Sequence, residues 1–239
     1  MSLYHRSDLL AVVMARHLKG AESCFHGLAS TVPMVSIMLA RKLYNPQMMY
    51  LNISGGVDME NVPLQISTDG PNLYNRSRSE FGLGDIFDFA ARGGLDVAFL
   101  SGGQVDEQGR VNNSVIGGFN RPKIKLPGGA GSAVLIPNAK RSFVWKSKHE
   151  KRGLVKAVDF VTSRGNVEYV FTPLCVLKRI DGRMMLNGIM PGSSLGDIQQ
   201  NTGFEVGVNS TAAIAPPTEE EMQALREIDP LRCRDAEFY

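Results

Sequence analysis

The stretch MMYLNISGGVD, residues 48–58, decides how this chain is read. Four apolar residues, Met48-Met49-Tyr50-Leu51, run into small residues and the pair Gly55-Gly56. A buried strand that ends in such a turn lets a ligand approach the backbone closely, because glycine removes the side chain that would block it. The turn holds no nucleophile stronger than Ser54 and no acid or base. An isoleucine, Ile53, stands in its middle.

Working outward, Ser7–Lys19 places Leu9, Leu10, Val12, Val13 and Leu18 at helical spacing, and Gly20 stops the helix. SCFHGLA (23–29) reads as a short strand into a glycine turn. VPMVSIMLARKLY (32–44) reads as a helix with Pro33 in its first turn, where a missing N–H costs nothing. After the 48–54 strand come a polar loop, STDGPNLYNRSRSE (67–80), a helix in GDIFDFAARGG (84–94) and an apolar strand, LDVAFLSGG (95–103). Strands alternating with helices predict a parallel sheet covered on both faces.

Past Asp106 the texture changes. VDEQGRVNNSV (105–115) predicts a turn between two extended pieces. AVLIP (133–137), SFVWKS (142–147) and VDFVT (158–162) read as three further strands. Residues 168–192 form a hairpin pattern around Asp181-Gly182, a dipeptide that tolerates positive φ, and this makes Met184 and Met185 core residues. SLGDIQQNTG (194–203) is a short helix capped by Ser194, and a terminal helix starts at Thr218 with acids in its first turn. The AAIAPP stretch (212–217) makes the tail from about residue 210 peripheral. With no internal repeat or convincing linker, the expectation is a single domain over residues 1–239.

The chain has 239 residues, 43% of them hydrophobic and 21% charged, as in a globular protein with a sizeable core. A net charge of +2 gives no electrostatic case for nucleic acid or a membrane surface. Cys24, Cys175 and Cys233 are odd in number and far apart, which argues against a disulfide framework or zinc site and for a reducing cytosol. No signal-peptide pattern or membrane-length apolar run is present, so the expected location is cytoplasmic.

Three strand ends close in small residues: Ser54-Gly55-Gly56, Ser101-Gly102-Gly103 and Gly128-Gly129-Ala130-Gly131. In open α/β sheets ligands sit beyond the carboxyl ends of strands, and backbone N–H groups there can hold an oxyanion. Each cluster taken alone is also an ordinary turn, and none matches a dinucleotide fingerprint or a P-loop. His149, in KSKHEKR, reads as a solvated basic turn before it reads as a base, and Lys148, Lys151 and Arg152 as wet surface before phosphate ligands. His5, His17 and His26 show no metal-ligand spacing, and no metal site is expected. Asn112 and Asn113 read as turn residues or ligand contacts.

Taken in order, ARGGLDVAFLSGGQVDEQGRVNNSVIG (91–117), PKIKLPGGAGSA (122–133), HEKRGLVKAVDFVTS (149–163) and PGSSLGDIQQNTGFEV (191–206) resemble the β subunit of class I coenzyme A transferases, the glutaconate/3-oxoacid type. The resemblance runs from about Leu10 to Glu205. It implies an open three-layer α/β/α sandwich of the NagB/RpiA-like type, paired with a homologous α subunit, commonly as α2β2, with the site at their interface. It also implies acyl-coenzyme A as substrate and no cofactor. In that family a glutamate within an E-S-G or E-N-G turn attacks the thioester and carries the CoA between two acids.

Set against that turn, NISGG puts Ile53 at the glutamate position, with Ser54 and Gly55 matching. Isoleucine has no nucleophilic atom, and Asp58 and Glu60 lie beyond the turn. A displaced nucleophile loses reactivity steeply. The glycine loop departs too: where the family tends to G-x-G-G-A, this chain has Gly128-Gly129-Ala130-Gly131-Ser132. A branch of the family fits a lost nucleophile, and the sequence is similar to it: the Ipd-type ring-opening CoA hydrolases of bacterial steroid (cholesterol) breakdown. That likeness implies water attack on a ring ketone, retro-Claisen cleavage and a general base on the α subunit. The expected site is Ser54, Gly55 and Gly131 as catalytic groups, with Asn52, Ile53, Gly56, Asn75, Gly102, Gly103, Asn112, Gly128, Gly129 and Ala130 against substrate. A working transferase and a non-catalytic scaffold subunit are the alternatives.

Overall fold

The computed structural model describes residues 4–60 and 62–238. The chain divides into two compact units, residues 1–99 with 216–239, and residues 100–215.

In the first unit, α1 (Arg6–Arg16) starts with a reciprocal cap: His5 accepts the Ser7 N–H at 3.3 Å, and Asp8 accepts the His5 N–H at 2.7 Å. It is followed by β1 (Ser23–His26), α2 (Thr31–Leu43), β2 (Met49–Asn52), β3 (Gly56–Val57), α3 (Pro71–Asn75), β4 (Ser79–Glu80), α4 (Leu83–Ala91) and β5 (Val97–Ser101). The strands run in the order β5-β1-β2-β3-β4. β1 is parallel to both β5 and β2, while β3 and β4 turn back antiparallel. All four residues of β1 are buried, so no face of the strand alternates towards solvent. Phe25, Tyr50 and Phe99 fill the core beside Leu10, Met14 and Ile37.

In the second unit come β6 (Gln104–Asp106), β7 (Val111–Asn112), β8 (Val115–Gly118), β9 (Arg121–Lys125), α5 (Ser132–Asn138), β10 (Arg141–Trp145), β11 (Leu154–Val155), β12 (Val167–Phe171), β13 (Cys175–Ile180), β14 (Arg183–Ile189), α6 (Leu195–Asn201) and β15 (Gly207–Val208). The main order is β15-β14-β13-β12-β10, with β10–β12 and β14–β15 parallel and the rest antiparallel. β11, β6 and β7 form a small sheet, and β8–β9 an exposed hairpin. The hairpin at Asp181-Gly182 forms as expected, both residues at positive φ (47° and 81°). Met184 is buried; Met185 is partly exposed. The α/β class of the sequence reading holds, with mixed sheet directions in place of an all-parallel sheet.

Two expected strands are absent. AVLIP lies in α5, where Leu135 and Ala139 donate to the carbonyls of Gly131 and Leu135, each at 2.8 Å. A short apolar run cannot by itself distinguish a buried strand from a buried helical turn. VDFVT is irregular: the Asp159 N–H bonds the Gln104 side chain at 3.1 Å, and the N–H groups of Thr162 and Ser163 share the Val111 carbonyl at 3.0 Å.

Residues 216–239 of the tail belong to the first unit. α7 (Glu219–Ile228) begins at Thr218, whose hydroxyl accepts the Glu221 N–H at 3.2 Å, and a 3-10 helix covers Cys233–Phe238. Arg234 is 1% exposed and lies between Asp8 at 2.7 Å and Asp229 at 2.8 Å. A buried guanidinium needs such partners, since an uncompensated buried charge is costly. The three cysteines are buried and unbridged. No helix among the described residues is long and apolar enough to cross a membrane.

Candidate functional site

The turn after β2 belongs to the first unit. Asn52, fully buried, organises it: its Oδ1 accepts the Ser54 hydroxyl and the Gly56 N–H (3.3 Å), and its Nδ2 donates to the Leu73 carbonyl at 3.1 Å. Asn52 therefore shapes the turn from beneath. The Ser54 hydroxyl is directed at Asn52. Gly55 has φ +95°, and a Cβ there would lie 2.6 Å from the Phe81 carbonyl oxygen. At Gly56 a Cβ would lie 2.0 Å from the Ser77 hydroxyl. Both positions exclude a side chain. Ile53 stands partly buried at the head of this rigid turn.

The carboxylates near the turn are engaged elsewhere. Asp58 accepts the Tyr50 N–H at 2.9 Å and pairs with Arg41 at 3.1 Å; Glu60 pairs with Arg78. Sequence reasoning missed Glu80. β4 sets it opposite Gly56, and the Tyr74 hydroxyl, whose ring lies against Gly55, donates to it at 2.5 Å. This hydrogen bond raises the Tyr74 pKa. Asn75, at the end of α3, is exposed and not drawn into the turn.

In the second unit Asn113 joins two of the glycine loops. Its Oδ1 accepts the Gly103 N–H at 2.8 Å, its Nδ2 donates to the Ser101 carbonyl at 3.0 Å, and its own carbonyl accepts the Gly128 N–H at 2.7 Å. Asn112 is fully buried: its amide bonds Gln104 and the Val115 carbonyl, each at 2.7 Å, and its Oδ1 accepts the N–H groups of Ser114 (2.9 Å) and Val115 (3.3 Å). Asn112 braces the turn from within, and its neighbour Asn113 makes the contacts to the glycine loops.

Gly128 (φ +103°) and Ala130 (φ +42°) adopt left-handed backbone, and a Cβ on Gly129 would meet Thr162 at 2.8 Å. The N–H groups of Gly129, Ala130 and Gly131 donate to no acceptor among the described residues. Donors left open in this way can meet a developing negative charge on a thioester or ketone oxygen.

The basic stretch after β10 is not simply wet. His149 bridges the Thr172 and Thr202 hydroxyls at 2.8 and 2.9 Å, and burial lowers its pKa to about 4, so it is a neutral clamp. Lys146, which sequence reasoning passed over, donates to the carbonyls of Gly102 (2.8 Å) and Gly103 (3.2 Å). A lysine closing a buried apolar strand, SFVW, is the signal that could have found it. Lys151 and Lys156 line a separate cleft of about 770 Å³ with Arg183, Glu107, Glu205 and Phe204. Among the described residues no group of three or more His, Cys, Asp or Glu side chains could hold a metal ion.

Comparison with known proteins agrees with this architecture. A family model described as coenzyme A transferase matches residues 10–201. The β-type chain of the 3-oxoadipate CoA-transferase of Pseudomonas knackmussii is 30% identical, covering 96% of this chain and 95% of its own. The decarboxylase AibA/AibB superposes with a TM-score of 0.92 at 28% identity over 98% of both chains. IpdAB of Rhodococcus jostii RHA1 reaches 0.86 over 100% of both at 21% identity, a likeness of fold alone. The chain belongs to the coenzyme A transferase family, and its relatives there are β subunits.

Proposed function

We propose that this chain is the β subunit of a heteromeric enzyme that opens the ring of a bulky cyclic β-keto acyl-CoA by hydrolytic C–C cleavage, as in steroid breakdown, without forming an acyl-enzyme on its own side chains. The observation that carries this reading is Ile53 at the head of the turn, with Asp58 and Glu60 tied to Arg41 and Arg78. A carboxylate nucleophile is missing where the transferase reaction needs one, so water takes its place.

The chemistry balances without a cofactor. A base, assigned to the α partner, takes a proton from water as its oxygen attacks the ring ketone. The tetrahedral intermediate collapses, the C–C bond breaks, and its electron pair becomes an enolate on the neighbouring carbonyl. Protonation at carbon returns that proton, and the new carboxylic acid gives its own proton to water to become a carboxylate. The open N–H groups at Gly129, Ala130 and Gly131 supply a place for the oxyanion and the enolate. The partner, in an α2β2 assembly, is supported by exposed apolar groups on the β8–β9 hairpin, Phe119 at 63% and Ile124 at 56%.

The 28% identity to a decarboxylase over nearly the whole chain favours one second reading, loss of CO2 from an acyl-CoA through the same kind of enolate. The test is turnover by the complex with its α partner in heavy-oxygen water. Ring opening places the label in the new carboxylate with no acid acceptor added; CO2 release selects the second reading. A strict need for an acceptor acid refutes both.

A further inference from the structure

We infer that Lys146 is a positioning residue that holds the Ser101–Gly103 loop in the form it presents to an acyl-CoA, an inference that rests on the function proposed above. The Gly102–Gly103 peptide is gripped from both sides: Lys146 Nζ donates to the Gly102 carbonyl at 2.8 Å, and Asn113 accepts the Gly103 N–H at 2.8 Å. Carbonyl and N–H of a trans peptide point in opposite directions, so these two bonds fix the plane. The ammonium reaches the Gly103 carbonyl as well, at 3.2 Å, and Asn113 takes the Ser101 carbonyl at 3.0 Å. Every carbonyl of the loop therefore faces a side-chain donor.

The surroundings are built for this reach. A Cβ on Gly153 would lie 2.7 Å from Lys146 Cε and 3.0 Å from Nζ, so the turn after β10 gives the lysine its path by lacking a side chain. Gly102 and Gly103 have no room for side chains of their own: a Cβ at Gly102 would meet Val111 at 2.9 Å, and one at Gly103 would meet Leu126 at 2.7 Å. A cation bonded to carbonyl oxygens makes a charge-assisted contact and polarises the attached peptides, which favours negative charge developing nearby.

Burial lowers the Lys146 pKa to about 8. The ionisable groups that face it are Glu150, which opposes the shift, Arg152, which adds to it, and neutral His149. The 101–103 loop and Gly153 contribute none.

The test compares wild type, Lys146→Met and Lys146→Arg in the assembled complex, reading kcat and KM across pH 8 together with backbone amide exchange at residues 102–104. Lys146→Met is expected to lower kcat about tenfold to a hundredfold with KM little changed, and to speed exchange in the loop. Lys146→Arg is expected to restore part of kcat and to move the alkaline limb of the profile upward, because guanidinium stays charged. Wild-type kcat and an unmoved pH profile in Lys146→Met would overturn the inference. Should the wild-type complex turn over no acyl-CoA, the function reading fails by itself. Exchange then decides: faster exchange in Lys146→Met supports the positioning role, and unchanged exchange overturns it.

Discussion

Asn113 accepts the Gly103 N–H at 2.8 Å and donates to the Ser101 carbonyl at 3.0 Å, so one side chain ties both ends of a three-residue loop. The side chain of the adjacent Asn112 makes four bonds, all of them beneath the surface. Their substitutions should separate cleanly. Asn113→Ala is expected to lower turnover by roughly tenfold to a hundredfold, as small misplacements of site groups do, with little change in the urea midpoint. Asn112→Ala leaves buried donors and acceptors without partners, at about 1–3 kcal/mol each, and is expected to shift the urea midpoint well below wild type. Equal effects of the two on stability would show that Asn113 is also only a scaffold.

Such pairs mark where sequence reading stops. The frame was legible because helix caps and turn residues are local: Ser194, Thr218 and Asp181-Gly182 each act within a few residues, and each does what its type predicts. The apolar run at 97–100 was legible because continuous burial needs continuous hydrophobicity. What failed was long-range. Nothing local shows that Lys146 meets Gly102, that Glu80 of β4 lies opposite Gly56 of β3, or that Arg234 pairs with Asp8. AVLIP failed for another reason, since five apolar residues fit either period.

Ile53 carries the functional reading, and its replacement tests it from both directions. Hydroxylamine or borohydride added during turnover is expected to trap no acyl group on the wild-type chain. Ile53→Glu puts a carboxylate at the head of the turn after β2, where the proposed function sets a hydrocarbon-rich ring, and is expected to lower C–C cleavage by about a hundredfold. Mass spectrometry of the chain after quenching checks the first expectation, and steady-state rates the second. An acylated side chain in the wild type would return the protein to ordinary transferase chemistry.

Glu80 is the carboxylate that the fold brings beside the turn, held by Tyr74 at 2.5 Å. With the general base on the α partner, Glu80→Gln should leave kcat within about tenfold of wild type, since it keeps an acceptor for the Tyr74 hydroxyl. A general base contributes about a hundredfold to ten-thousandfold. A loss of that size, with KM unchanged and the complex intact, would move the base to this chain.

Acid should unfold the chain in two stages, because its shifted groups titrate in different windows. Burial lowers His26 and His149 to about 4 from 6.5. The fold therefore favours their neutral forms, and stability is lost as pH falls from 6.5 towards 4. For Glu221, burial pushes the carboxyl up, but bonds from Arg16, the Thr218 N–H and Tyr44 outweigh it and hold the group at about 2 against an ordinary 4.5. Its contribution is whole above 4.5 and disappears as pH falls through 2. Urea midpoints measured between neutral and acid pH should show both slopes. His149→Gln is expected to reduce the upper slope and leave the lower, while Glu221→Gln does the reverse and also lowers the midpoint at neutral pH, where the Arg16 pair at 2.7 Å is lost. An unchanged lower slope in Glu221→Gln would place the acid sensitivity on other carboxylates.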